Sequence, residues 1–251
     1  MRLTRVFVDA ALGTDALLPL PDGPAQHLAR VLRLTAGSPV ILFNGQGGEY
    51  TATIEAVKRD AVTVRIGAHQ AIERESPLAT TLLQGIARGE KMDQILQKAT
   101  ELGVTRVVPV MTTRSTVRLN AETGPRKHEH WQGVVIGACE QSGRNRVPVL
   151  DEPAALATAV GAVDTQLKLV LAPDENAEPL QSLLTASATP PASICLLVGP
   201  EGGLDPDEIR VAQLAGFKAC RVGPRVLRTE TAAPAVLAAL QFALGDLASP
   251  A

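Results

Sequence analysis

Aromatic side chains make up 2% of this 251-residue chain, one Trp, one Tyr and four Phe. So thin a supply excludes a platform on which several bases stack in succession. Cysteine is scarcer still: Cys139, Cys195 and Cys220 form no CxxC pair, and two of them lie in apolar strand-like runs where they read as packing residues. A reducing, cytoplasmic setting is expected. No apolar run reaches membrane length, and the opening MRLTRVFVDAAL is interrupted by Thr4, Arg5 and Asp9, which excludes a signal peptide in it. No membrane partner is expected.

Ligand clusters are missing as well. His128 and His130 stand two apart on a predicted helix and point in different directions, and no Cys or carboxylate set completes a metal site. No metal is expected. No paired Ser and His or Cys and His arrangement can be argued, so covalent catalysis is not indicated. There is no internal repeat and no low-complexity segment.

Net charge is only -2, yet it is unevenly placed. Residues 1–75 carry 8 basic and 8 acidic side chains, residues 76–150 carry 10 and 6, and residues 151–251 carry 6 and 12. The balances are therefore 0, +4 and -6. A basic middle third beside an acidic final third fits a localised contact with an anionic partner, although solvated helix faces produce the same asymmetry.

What is present is a change of pattern along the chain. RVFV, SPVILFN, EYTATIEAV and AVTVRI alternate and are rich in Val, Ile and Thr, which predicts a small β-rich domain over residues 1–70. FNGQGGEY, residues 43–50, is a hairpin turn rather than a dinucleotide loop, because a strand follows it. HLARVLRLTAG predicts a short helix with Arg30 and Arg33 one turn apart beside His27, either a solvated face or a phosphate contact. After the polar break around residues 69–77, strands and helices alternate. TTLLQGIA, VTRVVPV, LKLVLAP, ICLLVGP and FKACRVG are strand-like, and helical stretches separate them. A parallel-sheet α/β domain over residues 77–251 is expected.

Two loops in that domain stand out. LLVGPEGGLDPDEI, residues 196–209, runs from strand through a turn with Gly199, Gly202 and Gly203 into a helix that Asp205 can cap, with Pro206 at its first position. A phosphate loop would need Lys and then Ser or Thr after the second Gly; Leu204 and Asp205 stand there, and Glu201 adds a negative charge. A tight structural connection would explain the glycines as well as a ligand would. RVGPRVLRTETAAPAVLAALQ, residues 221–241, is again strand, loop and helix, with Thr231 able to cap the helix and Arg225, Arg228 and Glu230 crowded before it. Loops at the carboxyl ends of parallel strands are where ligands bind, so the two, with LAP at residues 171–173, can line one pocket.

HLARVLRL, KMDQILQKATELGV, EQSGR at residues 140–144, GPEGG at 199–203 and GPRVLRTETA at 223–232 occur in this order over nearly the whole chain. Together they resemble the ribosomal RNA small subunit methyltransferase E family of the SPOUT superfamily. The resemblance implies a PUA-like β-barrel for RNA contact, then a SPOUT-type α/β domain whose C-terminal segment forms a trefoil knot. It further implies a homodimer, S-adenosylmethionine as methyl donor, and methylation of uridine N3 in 16S rRNA of the small ribosomal subunit. Another base or a ribose hydroxyl as acceptor, or a non-catalytic RNA-binding assembly factor, are the alternatives.

On that resemblance, the donor is expected against Leu171, Ala172, Pro173, Val198, Gly199, Pro200, Glu201, Gly202, Gly203, Val222, Gly223, Leu227, Thr229, Thr231 and Ala232. Arg144 and Arg228 are candidates for stabilising a developing anion, and Glu140, Glu201 and Glu230 for accepting the imide proton. Each is equally placed to be half of a structural ion pair. Arg2, Arg5, His27, Arg30, Arg33, Arg144 and Arg146 are expected to contact RNA.

Overall fold

The computed structural model describes residues 3–172, 177–186 and 189–248. Its contacts divide the chain into two units, one of residues 1–75 with 136–147, the other of residues 76–135 with 148–251.

The first unit contains β1 (Thr4–Phe7), β2 (Leu17–Pro19), α1 (Asp22–Gln26), a π-helical turn (His27–Val31), β3 (Pro39–Phe43), β4 (Glu49–Lys58) and β5 (Ala61–Gln70). The strands run in the order β1-β3-β4-β5-β2, with β1 parallel to β3 and the other pairs antiparallel. Period-two alternation drives the strands: in β5, Val62, Val64 and Ile66 turn to the core while Ala61 and Arg65 face solvent. They pack with Val6, Val40, Leu42 and Ile54.

The predicted helix over HLARVLRL is shorter than expected. It ends at Val31, and Arg33 takes a left-handed φ of 52°. The Leu34 N–H then reaches back to the Leu28 carbonyl at 3.0 Å, a reversal that lets Leu34 pack on the core. Arg30 and Arg33 therefore do not share a helix face, which corrects the spacing argument.

The second unit contains β6 (Ala79–Gly85), α2 (Glu90–Glu101), β7 (Arg106–Met111), α3 (Thr123–Ser142, whose residues from 136 on belong to the first unit), β8 (Val149–Leu150) and β9 (Ala154–Ala155). Then come α4 (Leu156–Gly161), β10 (Leu167–Leu171), β11 (Glu178–Pro179), α5 (Leu180–Thr185), β12 (Ser193–Val198), α6 (Pro206–Leu214), β13 (Lys218–Arg221) and α7 (Thr229–Leu244). Strand order is β11-β13-β10-β12-β6-β7-β8, with β9 beside β7 and every pairing parallel. A sheet covered on both faces needs continuous apolar strands, and Ile194 to Val198 of β12 are all buried. Leu83, Val108, Val110, Val170 and Leu197 from the sheet close on Leu156, Val160, Ala212 and Phe217.

Successive strands run one way from β6 through β7 to β8, while β12, β10 and β13 lie on the other side of β6. The order thus reverses between β6 and β12, and in such sheets ligands sit outside the strands' carboxyl ends.

All three cysteines are free and buried, and burial pushes each thiol up to about 12. Among the described residues, no helix is long and apolar enough to cross a membrane.

Candidate functional site

Strands β12, β10 and β13 are adjacent, and the chain leaving each one lines a single cleft of about 600 Å3. That volume lies within the roughly 300–1,000 Å3 of small-molecule sites. From β10 come Leu171 and Ala172, whose N–H donates to the Cys220 carbonyl at 3.0 Å; Pro173 lies outside the described residues. From β12 come Val198 and the whole turn Gly199, Pro200, Glu201, Gly202, Gly203. From β13 come Val222, Gly223 and Leu227, with Thr229 and Ala232 of α7 behind them. Thus every expected donor contact among the described residues lines the cleft except Thr231.

Thr231 misses for a geometric reason. The last helix begins at Thr229 with Arg228 in the capping position, so Thr231 sits exposed inside the first turn and bonds the Arg228 carbonyl through its backbone N–H at 2.9 Å. It is not the cap the sequence pattern predicts. Asp205, by contrast, caps α6 as expected: it accepts from the Asp207 N–H at 3.1 Å, while Glu208 accepts from the Asp205 N–H at 2.8 Å.

The glycines divide into two kinds. A Cβ on Gly199 would stand 2.8 Å from the Gly203 carbonyl carbon, and one on Gly202 would press on Arg114. In the direction of a Cβ the close neighbour at both is protein, while both still line the cleft. Gly203 and Gly223 have open space where a Cβ would be and left-handed φ values of 69° and 65°. Those two leave backbone uncovered in the cleft wall, which fits a donor with an amino-acid and a nucleoside part.

Charge is arranged between the same loops. Lys91 Nζ lies 3.6 Å from Glu201 and 3.5 Å from Glu230, and the Arg88 N–H donates to Glu201 at 3.2 Å. The Glu230 carboxyl, hydrogen-bonded to its own backbone N–H and beside Lys91, is held below the usual carboxylate range. Glu201 lines the cleft and Glu230 does not. Arg114, Arg221, Arg225 and Arg228 also line it. Arg114 donates to the Gly202 carbonyl and to Asp205, both at 3.3 Å, and Arg221 to the Ala177 carbonyl at 3.0 Å.

A sequence model of the RNA methyltransferase domain matches residues 74–241, and one of the RNA methyltransferase PUA domain matches residues 20–67. Over 249 residues, 98% of each chain, the sequence is 30% identical to the ribosomal RNA small subunit methyltransferase E of Buchnera aphidicola subsp. Schizaphis graminum. The chain belongs to this family. Among solved structures, it resembles a Legionella pneumophila methyltransferase in complex with the cofactor SAM at a TM-score of 0.93 and 40% identity, covering 98% of this chain and 100% of that one. It resembles the ribosomal RNA small subunit methyltransferase E of Neisseria gonorrhoeae, bound to S-adenosyl methionine, at a TM-score of 0.88 and 34% identity with the same coverage.

The remaining candidates of this methyltransferase family member lie in the first unit. Arg5 is corrected as an RNA contact. It is buried, with Nη1 2.5 Å from Glu49, Nη2 2.5 Å from Asn145 and its guanidinium 4.9 Å over the Phe43 ring. Nothing of it is presented to a phosphate. Arg144 is likewise buried, paired with both oxygens of Glu75 through Nε at 3.2 and 3.1 Å. Glu140 accepts from the Phe7 N–H at 3.0 Å, and burial raises its carboxyl above the ordinary value despite that bond. Neither Glu140 nor Arg144 lines the cleft.

His27, Arg30, Arg33 and Arg146 are exposed, with Arg30 paired to Asp60 and Arg146 to Glu73. Arg2 lies outside the described residues. His128 and His130 are engaged separately, with the Leu150 carbonyl and with Asp93.

Sequence reasoning missed Arg114, Lys91 and Gln84. Lys91 sits on a helix legible only as amphipathic, and Gln84 in a strand legible only as apolar. Their partners are 88 to 145 residues away in most cases, and no local pattern signals them.

Proposed function

We infer that this chain transfers a methyl group from S-adenosylmethionine to N3 of a uridine in 16S rRNA of the small ribosomal subunit. The observation that carries this is the convergence of the GPEGG turn, the 222–228 loop and Leu171–Ala172 on one cleft, in a chain of this family. The backbone at Gly203 and Gly223 would hold the donor's polar parts, and Val198, Leu204, Ile209 and Leu227 supply its apolar wall. Bound there, the donor supplies an electrophilic methyl on a sulfonium.

The chain's own residues must then align the base and take its imide proton. Of the three candidate carboxylates, Glu201 is the one that lines the cleft, so we assign it as the acceptor. Arg225 and Arg228, exposed on the cleft wall, stabilise the anion that forms or fix a neighbouring phosphate. Exposed His27, Arg30, Arg33 and Arg146 extend RNA contact to the first unit. Arg144, held by Glu75, positions its loop. A trefoil-knotted C-terminal segment, a homodimer and a cytoplasmic location belong to the same proposal, and light scattering on the purified protein tests the dimer.

The chemical test incubates the protein and methyl-labelled donor separately with small ribosomal subunits and with protein-free RNA, both from cells lacking the modification. Nucleoside mass spectrometry then identifies the product. Label at uridine N3 is expected, and faster in the assembled subunit, because few aromatics and a net charge of -2 make loose attraction to bare RNA weak. Label on a ribose or on another base overturns the assignment.

A further inference from the structure

We propose that Gln84 is a positioning residue that holds the two loops of the donor site together through Thr229, an inference that rests on the donor reading above. Gln84 is fully buried near the end of β6, in register with Val198, the last residue before the GPEGG turn. An amide in that position costs desolvation that an apolar side chain of the same size would not, unless its hydrogen bonds are used. The nitrogen's are, while Oε1 is buried with no hydrogen-bond partner among the described residues. Nε2 stands 2.9 Å from the Gly85 carbonyl, 3.4 Å from the Gly199 carbonyl and 3.1 Å from Thr229 Oγ1.

Thr229 continues the chain of donors. Its hydroxyl accepts from Gln84 and gives its only proton to the Gly199 carbonyl at 2.7 Å. Thr229 opens α7 and Gly199 opens the turn, so one hydrogen-bonded path joins the start of the GPEGG turn to the end of the 222–228 loop. Pro200 has no N–H with which to anchor the turn itself. Gly85 completes the arrangement, since a Cβ there would stand 2.6 Å from Pro200 Cδ. The turn is thus seated on β6 by the absence of a side chain at 85 and tied down by the amide at 84. Thr229 serves the cleft through the carbonyl it fixes, and Gln84, which does not line the cleft, acts through Thr229.

The test measures S-adenosylmethionine affinity by calorimetry, with KM and kcat, in the full-length protein. Gln84→Met and Thr229→Val keep size and remove the donors. Each is expected to raise the donor Kd at least ten-fold, and Gln84→Met, outside the cleft lining, to change kcat at saturating donor less than three-fold. The double variant should be little worse than either single one, because both break one path. Thr229→Ser, which restores the hydroxyl, should recover most of the affinity; a merely structural role would not separate Ser from Val in this way. Should Gln84→Met fail to fold, the Val and Ser variants at 229 carry the comparison. Donor affinity within two-fold of the parent in Thr229→Val, or effects at 84 and 229 that multiply as independent sites, overturns the proposal. Failure of the parent to bind the donor overturns the donor reading instead.

Discussion

A Cβ placed on Gly202 would stand 3.0 Å from the Cβ of Arg114 and 3.2 Å from its carbonyl oxygen. Arg114 in turn holds the Gly202 carbonyl and Asp205. The turn's second glycine is therefore a packing position, and its replacement acts on the donor indirectly. Gly202→Val is expected to cost about 1–3 kcal/mol of stability through overpacking and to weaken donor binding together with it. Thermal melts beside calorimetry check both. A variant that melts with the parent would mean that Arg114 simply moves aside.

Arg225 and Arg228 face the cleft from an exposed loop. Replacing both with Ala should weaken RNA binding and reduce the slope of log affinity against log salt by about 1.4–1.8, two phosphate contacts' worth. Binding measured over a range of potassium chloride concentrations reads this directly. Parallel lines for variant and parent would remove both side chains from the RNA surface.

Glu140 separates chemistry from structure. Its carboxyl is raised by burial and accepts from the Phe7 N–H, a bond that a glutamine oxygen can also accept. Glu140→Gln is expected to keep stability within about 1 kcal/mol at neutral pH and to leave methyl transfer within a few-fold of the parent. A hundred-fold slower single turnover in a folded variant would make Glu140 the proton acceptor and displace Glu201 from that role.

Acid should loosen the first unit through Glu49. Burial works to raise this carboxyl, but bonds from Arg5, Asn145 and Arg74 outweigh it and hold it below the ordinary range. Its contribution to stability is therefore complete above the unfolded carboxylate value and is lost as pH falls through the lower folded one. Relative to Glu49→Gln, the parent's advantage at pH 7 should shrink below about pH 4. An advantage that persists unchanged into acid would show that the pair contributes nothing through ionisation.

What could be read from the sequence was whatever is local. The alternation in AVTVRI, the unbroken apolar run of ICLLV and the Asp205 to Glu208 capping pattern each carry their structure within a few residues, and β5, β12 and the start of α6 stand where those patterns put them. The three-residue β2 carried no such pattern, since Leu17, Leu18 and Pro19 pair with β5 only once the sheet exists. The cleft was legible because glycine loops at strand ends are a local signature. Its electrostatics were not. Glu201 and Glu230 were visible as charges, but the ammonium of Lys91 between them comes from a different helix. Arg5 and Arg144 show the opposite failure, where a basic residue read as an RNA contact is buried by partners at distant positions.

The three thiols, protonated at neutral pH and shut away from solvent, give the molecule an internal clock of its own opening. A thiolate-seeking alkylating reagent can reach them only when the surrounding structure lets go. Cys139 belongs to the first unit, while Cys195 and Cys220 lie on β12 and β13, the strands that carry the cleft loops. Site-resolved labelling rates thus time the loosening of each unit separately. Saturation with S-adenosylmethionine should slow the reaction at Cys195 and Cys220 more than at Cys139, which turns three inert packing residues into a probe of where ligand binding energy is felt.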